Sequence, residues 1–240
     1  MTVTLDFSKP CTHGRKNCLT CDVRLLSVCG ALDDAELGAL ESLAKSSVFE
    51  PKQTLFVEGE SAESVFTVTQ GMIRLYKLLP DGRRQIVGFA LPGDFLGLAM
   101  ANQYGFSAES IVPTRVCRFS RAAFSAFVDQ KPHLLRRLHE FATHELSLAQ
   151  DQMVVLGRRN AEGKLAAFLV GLRNRIAAIA GHSVTIALPM SRQDIADFLG
   201  LTIETVSRTL SSMAKDKLIL IVPDGVRLLN PRAVEALAEV

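Results

Sequence analysis

The stretch from Ser191 to Met213 is the feature of this chain that most restricts its fold. Ser191-Arg192-Gln193-Asp194 is suited to capping a short helix that stops at Gly200, and Thr202 is suited to capping a second helix. Two helices joined by a tight turn that contains glycine form the helix-turn-helix unit. Apolar runs on both sides of Pro223-Asp224-Gly225 then predict a hairpin, which completes a winged helix-turn-helix.

The second of these helices carries side chains that suit the major groove of DNA. Glu204, Ser207 and Arg208 share one face near its N-terminus, the end of a recognition helix that reaches base edges. Arg208 can donate to guanine O6 and N7, Glu204 can accept from a base amine, and Ser207 is adaptable. We expect Thr202 and Arg192 to contact the DNA as well. The plain alternative is an exposed ion pair between Glu204 and Arg208.

Short strand patterns separated by turns fill the first half of the chain. The runs between Thr54 and Phe89 are apolar or β-branched, and glycines or Pro80-Asp81-Gly82 punctuate them. The pattern continues to an apolar strand around Cys117. Many short strands at this spacing predict an antiparallel barrel or jelly roll. We place this sensor domain at residues 33–131.

A helical period begins after Pro132, and residues 132–158 are predicted to form one long helix. Its apolar stripe advances by three, four or seven residues through Leu134, Leu138, Phe141, Leu148 and Val155. A long, one-sided stripe predicts the seam of a homodimer. Asp151 falls on this stripe, where its carboxylate either faces its symmetry mate or lies at the solvated rim. Residues 159–240 then form the DNA-binding domain.

The cysteines suggest a soft metal site in the N-terminal segment, residues 1–32. Thiolates bind zinc or iron–sulfur clusters, and only Cys18 and Cys21 have the close spacing of a zinc-ribbon pair. Cys29 follows at a wider interval, so the irregular set favours an iron–sulfur cluster without excluding zinc. By itself Cys117 would be a packing residue of an apolar strand, and we treat Cys11 as non-ligating.

Composition favours a cytoplasmic protein. The chain is 48% hydrophobic, yet no apolar run reaches the roughly 18 to 20 residues that a membrane helix needs. Residues 1–10 include an acidic residue and have no apolar core, which argues against a secretory signal. In the cytoplasm, the five cysteines are more readily ligands or reduced thiols than disulfides.

Together these motifs resemble the CRP/FNR superfamily of bacterial transcription regulators, in particular its oxygen-sensing FNR/FnrN branch. The resemblance covers nearly the whole chain. It rests on Cys18-x2-Cys21-x7-Cys29 with Cys117, on Leu91-Pro92-Gly93-Asp94-Phe95, on Asn160-Ala161-Glu162 with Leu165-Ala166-Ala167-Phe168, and on the string from Leu199 to Arg208. It implies an α+β fold: an antiparallel β-roll like that of cyclic-nucleotide-binding domains, a long dimerisation helix and a C-terminal winged helix-turn-helix.

The resemblance also implies a cofactor. In that branch three N-terminal cysteines and one central cysteine hold an oxygen-labile 4Fe–4S cluster, and by position these are Cys18, Cys21, Cys29 and Cys117. A regulator of this kind would respond to oxygen or redox state and activate anaerobic or microaerobic genes.

The DNA and protein partners follow from the same resemblance. Glu204, Ser207 and Arg208 match the residues that read a TTGAT half-site, so the expected ligand is a palindromic site in double-stranded DNA. Asp151 matches an acidic residue of the dimer helix that is thought to keep the cluster-free protein apart. RNA polymerase and a second copy of the chain are the expected protein partners.

Two observations limit the alternatives. Residues 85–114 contain no lysine or arginine, so a buried cyclic phosphate would lack a cation, and we expect no cyclic nucleotide to bind. The five histidines are dispersed and no catalytic constellation stands out, so we predict no enzyme activity. A regulator with a zinc, haem or thiol sensor stays open, as does an iron–sulfur electron carrier, which would not explain the helix-turn-helix.

Overall fold

In the computed structural model, which describes residues 18–98, 102–158 and 160–239, short helical turns hold the N-terminal cysteines. Three 3-10 turns cover Cys18–Thr20, Arg24–Leu26 and Val28–Ala31. Helix α1 (Asp34–Leu43) follows and begins with a capping box, in which Asp33 and Glu36 each accept from the other's backbone N–H. Cys11 lies outside the described residues.

The strands of the sensor domain form two antiparallel sheets. One has the order β1-β8-β3-β6 and the other β2-β7-β4-β5. The strands are β1 (Lys45–Phe49), β2 (Thr54–Phe56), β3 (Ser64–Gln70), β4 (Ile73–Leu78), β5 (Arg84–Ala90), β6 (Phe95–Leu96), β7 (Ser107–Ser110) and β8 (Thr114–Ser120). The predicted antiparallel β-roll is confirmed.

One apolar core of this domain draws on both sheets. Val68 and Val116 of the first sheet are fully buried with Ile73 and Ala108 of the second. Gly71 makes the tight connection between β3 and β4 possible. Its φ is +91°, and a Cβ there would lie 2.7 Å from a backbone oxygen, so no other residue fits without movement.

Two helices follow the strands, α2 (Arg121–Asp129) and the uninterrupted α3 (Pro132–Arg158). The predicted long helix is therefore confirmed as an element of the fold. The described residues group into two compact units. The first unit contains residues 78–86 and the residues from 147 onward, and the second contains the residues up to 77 and residues 87–146. The division falls within α3, and the first unit also contains the hairpin between β4 and β5.

The apolar stripe predicted for the dimer seam is buried or half-buried within the single chain. Leu134, Leu138 and Val155 are buried within their own chain, and Phe141 and Leu148 are half-buried. The stripe that α3 leaves exposed comprises Leu135, Ala142, Leu146, Ala149, Met153 and Leu156. With His139 it has alternating steps of four and three residues, which is the heptad pattern of paired helices.

Asp151 is separated from this exposed stripe. It is exposed, but it lies two residues from Ala149 and from Met153, which places it about 160° around the helix from each. The expected meeting of two Asp151 carboxylates across a dimer interface stays a prediction, but Val155, which was expected to flank them, is buried within its own chain.

The C-terminal domain is a winged helix-turn-helix, as predicted. Helices α5 and α6 are followed by the hairpin β10–β11, and β9 joins that hairpin as a third antiparallel strand. The elements are α4 (Ala161–Ala180), β9 (Thr185–Ala187), α5 (Arg192–Leu199), α6 (Ile203–Lys215), β10 (Ile219–Val222), β11 (Gly225–Leu228) and α7 (Pro231–Glu239). No helix in the described parts of the chain is long and apolar enough to cross a membrane.

Candidate nucleic-acid interface and thiol cluster

Local capping fixes both helices of the helix-turn-helix. The Ser191 side chain accepts from the Asp194 N–H, and the Asp194 carboxylate accepts from the Ser191 N–H at 3.0 Å. Gly200 ends α5 in the left-handed conformation at φ +61°. The Thr202 hydroxyl accepts from the Thr205 N–H at 3.2 Å and starts α6. The capping roles predicted for Ser191, Gly200 and Thr202 are confirmed.

Helix α6 buries one face and exposes the other, as its sequence predicts. Val206, Leu210 and Met213 are almost fully buried. Glu204 and Arg208 are exposed on the opposite face. Because its apolar face is packed against the domain, the helix keeps its polar face exposed to solvent.

The polar face of α6 is already ordered by hydrogen bonds. Arg192 of α5 donates through Nη1 to the Ser207 Oγ at 3.1 Å, so two of the predicted DNA-contacting residues touch each other. The pKa of the Glu204 carboxyl is lowered by hydrogen bonds from its own backbone N–H and from Thr202, and further by the Arg208 charge. Glu204 is therefore an ionised acceptor at neutral pH.

Three of the four predicted thiol ligands, all except Cys21, pack against one apolar core cluster. Cys18, Cys29 and Cys117 all pack against the same core cluster, which includes Val28 and Phe119. Cys117 lies in β8. The N-terminal turns also pack on the turn that precedes β6. There Gly93, at φ +104°, leaves room for Leu26, whose Cβ would be only 3.1 Å from an added Cβ.

The four thiols influence one another electrostatically. The pKa of Cys117 is raised to about 12, mainly by burial and also by the neighbouring Cys21, Cys18 and Cys29. Burial also raises the pKa of Cys18 to about 11, with added contributions from Glu41, Cys29 and Cys21. Burial raises the pKa of Cys29 as well. Buried thiols in this arrangement are poor anions unless a positive centre compensates their charge.

Comparison with known proteins now bears on both sites. Residues 47–131 match the family model of the cyclic nucleotide-binding domain, and residues 163–237 match that of the Crp-like helix-turn-helix domain. The chain is 58% identical to the transcriptional activatory protein AadR of Rhodopseudomonas palustris over 91% of each chain. It is 52% identical to the nitrogen fixation regulation protein FixK of Bradyrhizobium diazoefficiens, covering 92% of this chain and 93% of that protein.

This chain belongs to the CRP/FNR family of transcription regulators. The fold agrees with that of the solved FixK2 from Bradyrhizobium japonicum, with a TM-score of 0.76 and 36% identity over 81% of this chain and 96% of that chain. The sequence-based assignment to the CRP/FNR family is thus confirmed. The Crp-like domain makes this protein a DNA-binding regulator.

The thiol cluster offers soft sulfur ligands. Within residues 18–98, 102–158 and 160–239, no three histidine, cysteine or acidic side chains converge on a single ion site. Thiolate sulfur is a ligand of iron–sulfur clusters and also of zinc, so the side chains of Cys18, Cys21, Cys29 and Cys117 fit either group chemically. Thr67, directly opposite Cys117 in the β3–β8 pair, has a buried hydroxyl with no hydrogen-bond partner within the described residues.

Sequence reasoning missed several contacts of this CRP/FNR regulator. The Arg192–Ser207 bond and the link from Glu36 to Lys131 and His133 join residues that are distant in sequence, and the Thr67 hydroxyl has no hydrogen-bond partner in the part of the chain that the structure describes. No local motif marks such pairs. The alignment of Thr67 with Cys117 becomes visible only once the strand register is known.

Proposed function

We propose that this protein is a transcription activator controlled by oxygen or redox state through a 4Fe–4S cluster. Cys18, Cys21, Cys29 and Cys117 would hold the cluster. The observation that carries the proposal is that Cys117, far along the chain, packs against the same apolar cluster as Cys18 and Cys29. Activation is suggested by the name of the AadR relative, a transcriptional activatory protein.

The protein's own residues would supply the environment of this centre. When bound, a 4Fe–4S cluster supplies a redox-active centre that oxygen attacks, and its thiolate ligands carry negative charge into a buried place. The raised pKa values of Cys18, Cys29 and Cys117 keep those thiols protonated at neutral pH when iron is absent. The Thr67 hydroxyl lies on the same face as Cys117 and is available as a donor to sulfur.

Specific DNA recognition is proposed for the exposed face of α6. Arg208 would donate to a guanine and Glu204 would accept from a base amine of a TTGAT half-site. Arg192 and Thr202 lie at the N-terminal ends of their helices, where phosphate oxygens are favoured. As a cytoplasmic activator, the DNA-bound protein would contact RNA polymerase.

A homodimer is proposed along the exposed stripe of α3. Leu135, Leu146 and Met153 are 58%, 59% and 69% exposed in the single chain, which is unusual for a row of large apolar side chains. Pairing two such stripes buries them and sets two recognition helices against a palindrome.

One set of measurements on anaerobically purified protein tests the function. We expect a broad visible absorption of sulfur-to-iron character and binding to a TTGAT palindrome, both lost on exposure to air. A sharp haem absorption band, or a colourless protein that contains zinc, would show that the cofactor is not an iron–sulfur cluster. DNA binding that is equal before and after air would contradict oxygen control.

A further inference from the structure

Three side chains from three different elements hold the C-terminal end of α5, the first helix of the helix-turn-helix. All three bonds are partly buried. The donors are Gln85 Nε2 of β5 to the Asp197 carbonyl, Gln152 Nε2 of α3 to the Phe198 carbonyl at 2.9 Å, and Lys164 Nζ of α4 to the Leu199 carbonyl at 3.3 Å.

These bonds satisfy groups that a helix normally leaves to water. The last four carbonyls of an α-helix have no partner within the helix. In α5 the Leu201 N–H donates to the Ala196 carbonyl at 3.0 Å, and the next three carbonyls along the chain accept from the three side chains. The turn into α6 is therefore fixed by side chains from outside α5 and α6.

The β4–β5 hairpin also approaches the other end of α5. Arg84 Nη2 lies 3.9 Å from the Asp194 Oδ1, and Asp194 is 1% exposed. Asp194 is the acidic member of the capping box, so Arg84 faces a buried carboxylate that helps to start the helix. Adjacent residues of one strand, Arg84 and Gln85, thus reach both ends of α5.

We propose that Gln85 and Gln152 are positioning residues for the recognition helix. They fix the turn after Leu199, from which α6 begins at Ile203, and so set where Glu204 and Arg208 point. Because side-chain bonds to a carbonyl are directional and short, a small shift of β5 or α3 relative to α5 breaks them. The DNA affinity would thereby depend on the positions of the sensor strand and the dimer helix.

Substitutions that keep a side chain of similar size but remove or replace its hydrogen-bond donor test this proposal. Gln85→Glu and Gln152→Glu remove the donor, whereas Gln152→Lys restores one that also suits the carbonyl end of a helix. Gln130→Glu and Gln130→Lys, at an exposed position after α2 in the other compact unit, make the same changes of charge. Each full-length variant is purified anaerobically.

DNA affinity and hydrogen exchange of each variant are compared with those of the Gln130 variant that carries the same change of charge. Fluorescence anisotropy with a TTGAT palindrome should show roughly fivefold or weaker binding for each Glu variant, the equivalent of one lost hydrogen bond. Gln152→Lys should bind within about twofold of Gln130→Lys. Hydrogen exchange of peptides covering residues 196–206 should be faster in the Glu variants and normal in Gln152→Lys, with the β-roll unchanged.

The proposal is overturned if both Glu variants match Gln130→Glu in affinity and exchange. It is equally overturned if Gln152→Lys binds DNA as weakly as Gln152→Glu, because the donor would then be irrelevant.

Discussion

At the scale of single residues, the bond from Arg192 to Ser207 determines what the serine can offer to DNA. A guanidinium only donates, so the Ser207 Oγ is the acceptor in this 3.1 Å contact. The Ser207 hydroxyl proton therefore stays free to donate to a base or phosphate acceptor. Arg192 in this way prepares the face of α6 on which Glu204 and Arg208 are exposed.

Arg208→Ala should relax discrimination at one guanine of the half-site. The loss on a matched palindrome is roughly 1–3 kcal/mol, with little change on a site that lacks that guanine, because a bidentate contact to its O6 and N7 disappears. Binding isotherms on the two duplexes provide the comparison. An equal loss on both would mark Arg208 as a phosphate contact.

At the scale of elements, α3 shows what a periodic pattern can and cannot predict. Its length and start were predictable because Pro132 and the helical period are local signals. The apolar face that stays exposed was not predictable, because α3 has two apolar faces and the sequence does not say which one its own chain covers. Leu138 belongs to the covered face and Leu146 to the exposed one.

Leu146→Asp should prevent dimer formation, whereas Asp151→Ala should not change it. The first change places a charge in the exposed stripe, where an uncompensated buried charge costs about 3–5 kcal/mol. The second alters the far side of α3. Sedimentation of both anaerobic variants decides between the two faces of α3. If Asp151→Ala changes the monomer–dimer equilibrium while Leu146→Asp still dimerises normally, the dimer forms through the face that carries Asp151.

The junction of α1 with the start of α3 should be sensitive to acid. The Lys131 ammonium donates to the Glu36 carboxylate at 3.0 Å and is the main cause that lowers the pKa of Glu36 to about 2, with further help from Asp33 and His133. Because this folded-state pKa is below the usual 4.5, the carboxylate stabilises the fold above about pH 4.5, and this contribution is lost as the pH falls toward 2.

Glu36→Gln should accordingly lower the Tm at pH 7 and flatten its decline in acid. Thermal unfolding followed by circular dichroism from pH 7 to 3 measures both proteins, with Glu50→Gln at an exposed position as the control. Parallel curves for parent and Glu36→Gln would show that the Lys131 contact contributes nothing to stability.

At the scale of the whole molecule, the sequence predicted what is encoded locally. Caps such as Ser191 and Thr202 and the glycine turn at Gly200 specify the helix-turn-helix within a few residues. The place of Cys117 beside the N-terminal thiols followed from family resemblance, because burial in a strand looks the same for a ligand and a packing residue. Contacts such as Gln85 to Asp197 have no sequence signal, since only tertiary folding brings them together.

We propose that the thiols of Cys18, Cys21, Cys29 and Cys117 hold one 4Fe–4S cluster. The most direct test is the iron and acid-labile sulfide content per chain of anaerobically purified parent, Cys117→Ser and Cys11→Ser proteins. We predict about four of each in the parent and in Cys11→Ser, and little of either in Cys117→Ser. Full iron and sulfide in Cys117→Ser, or none in the parent, would contradict the account.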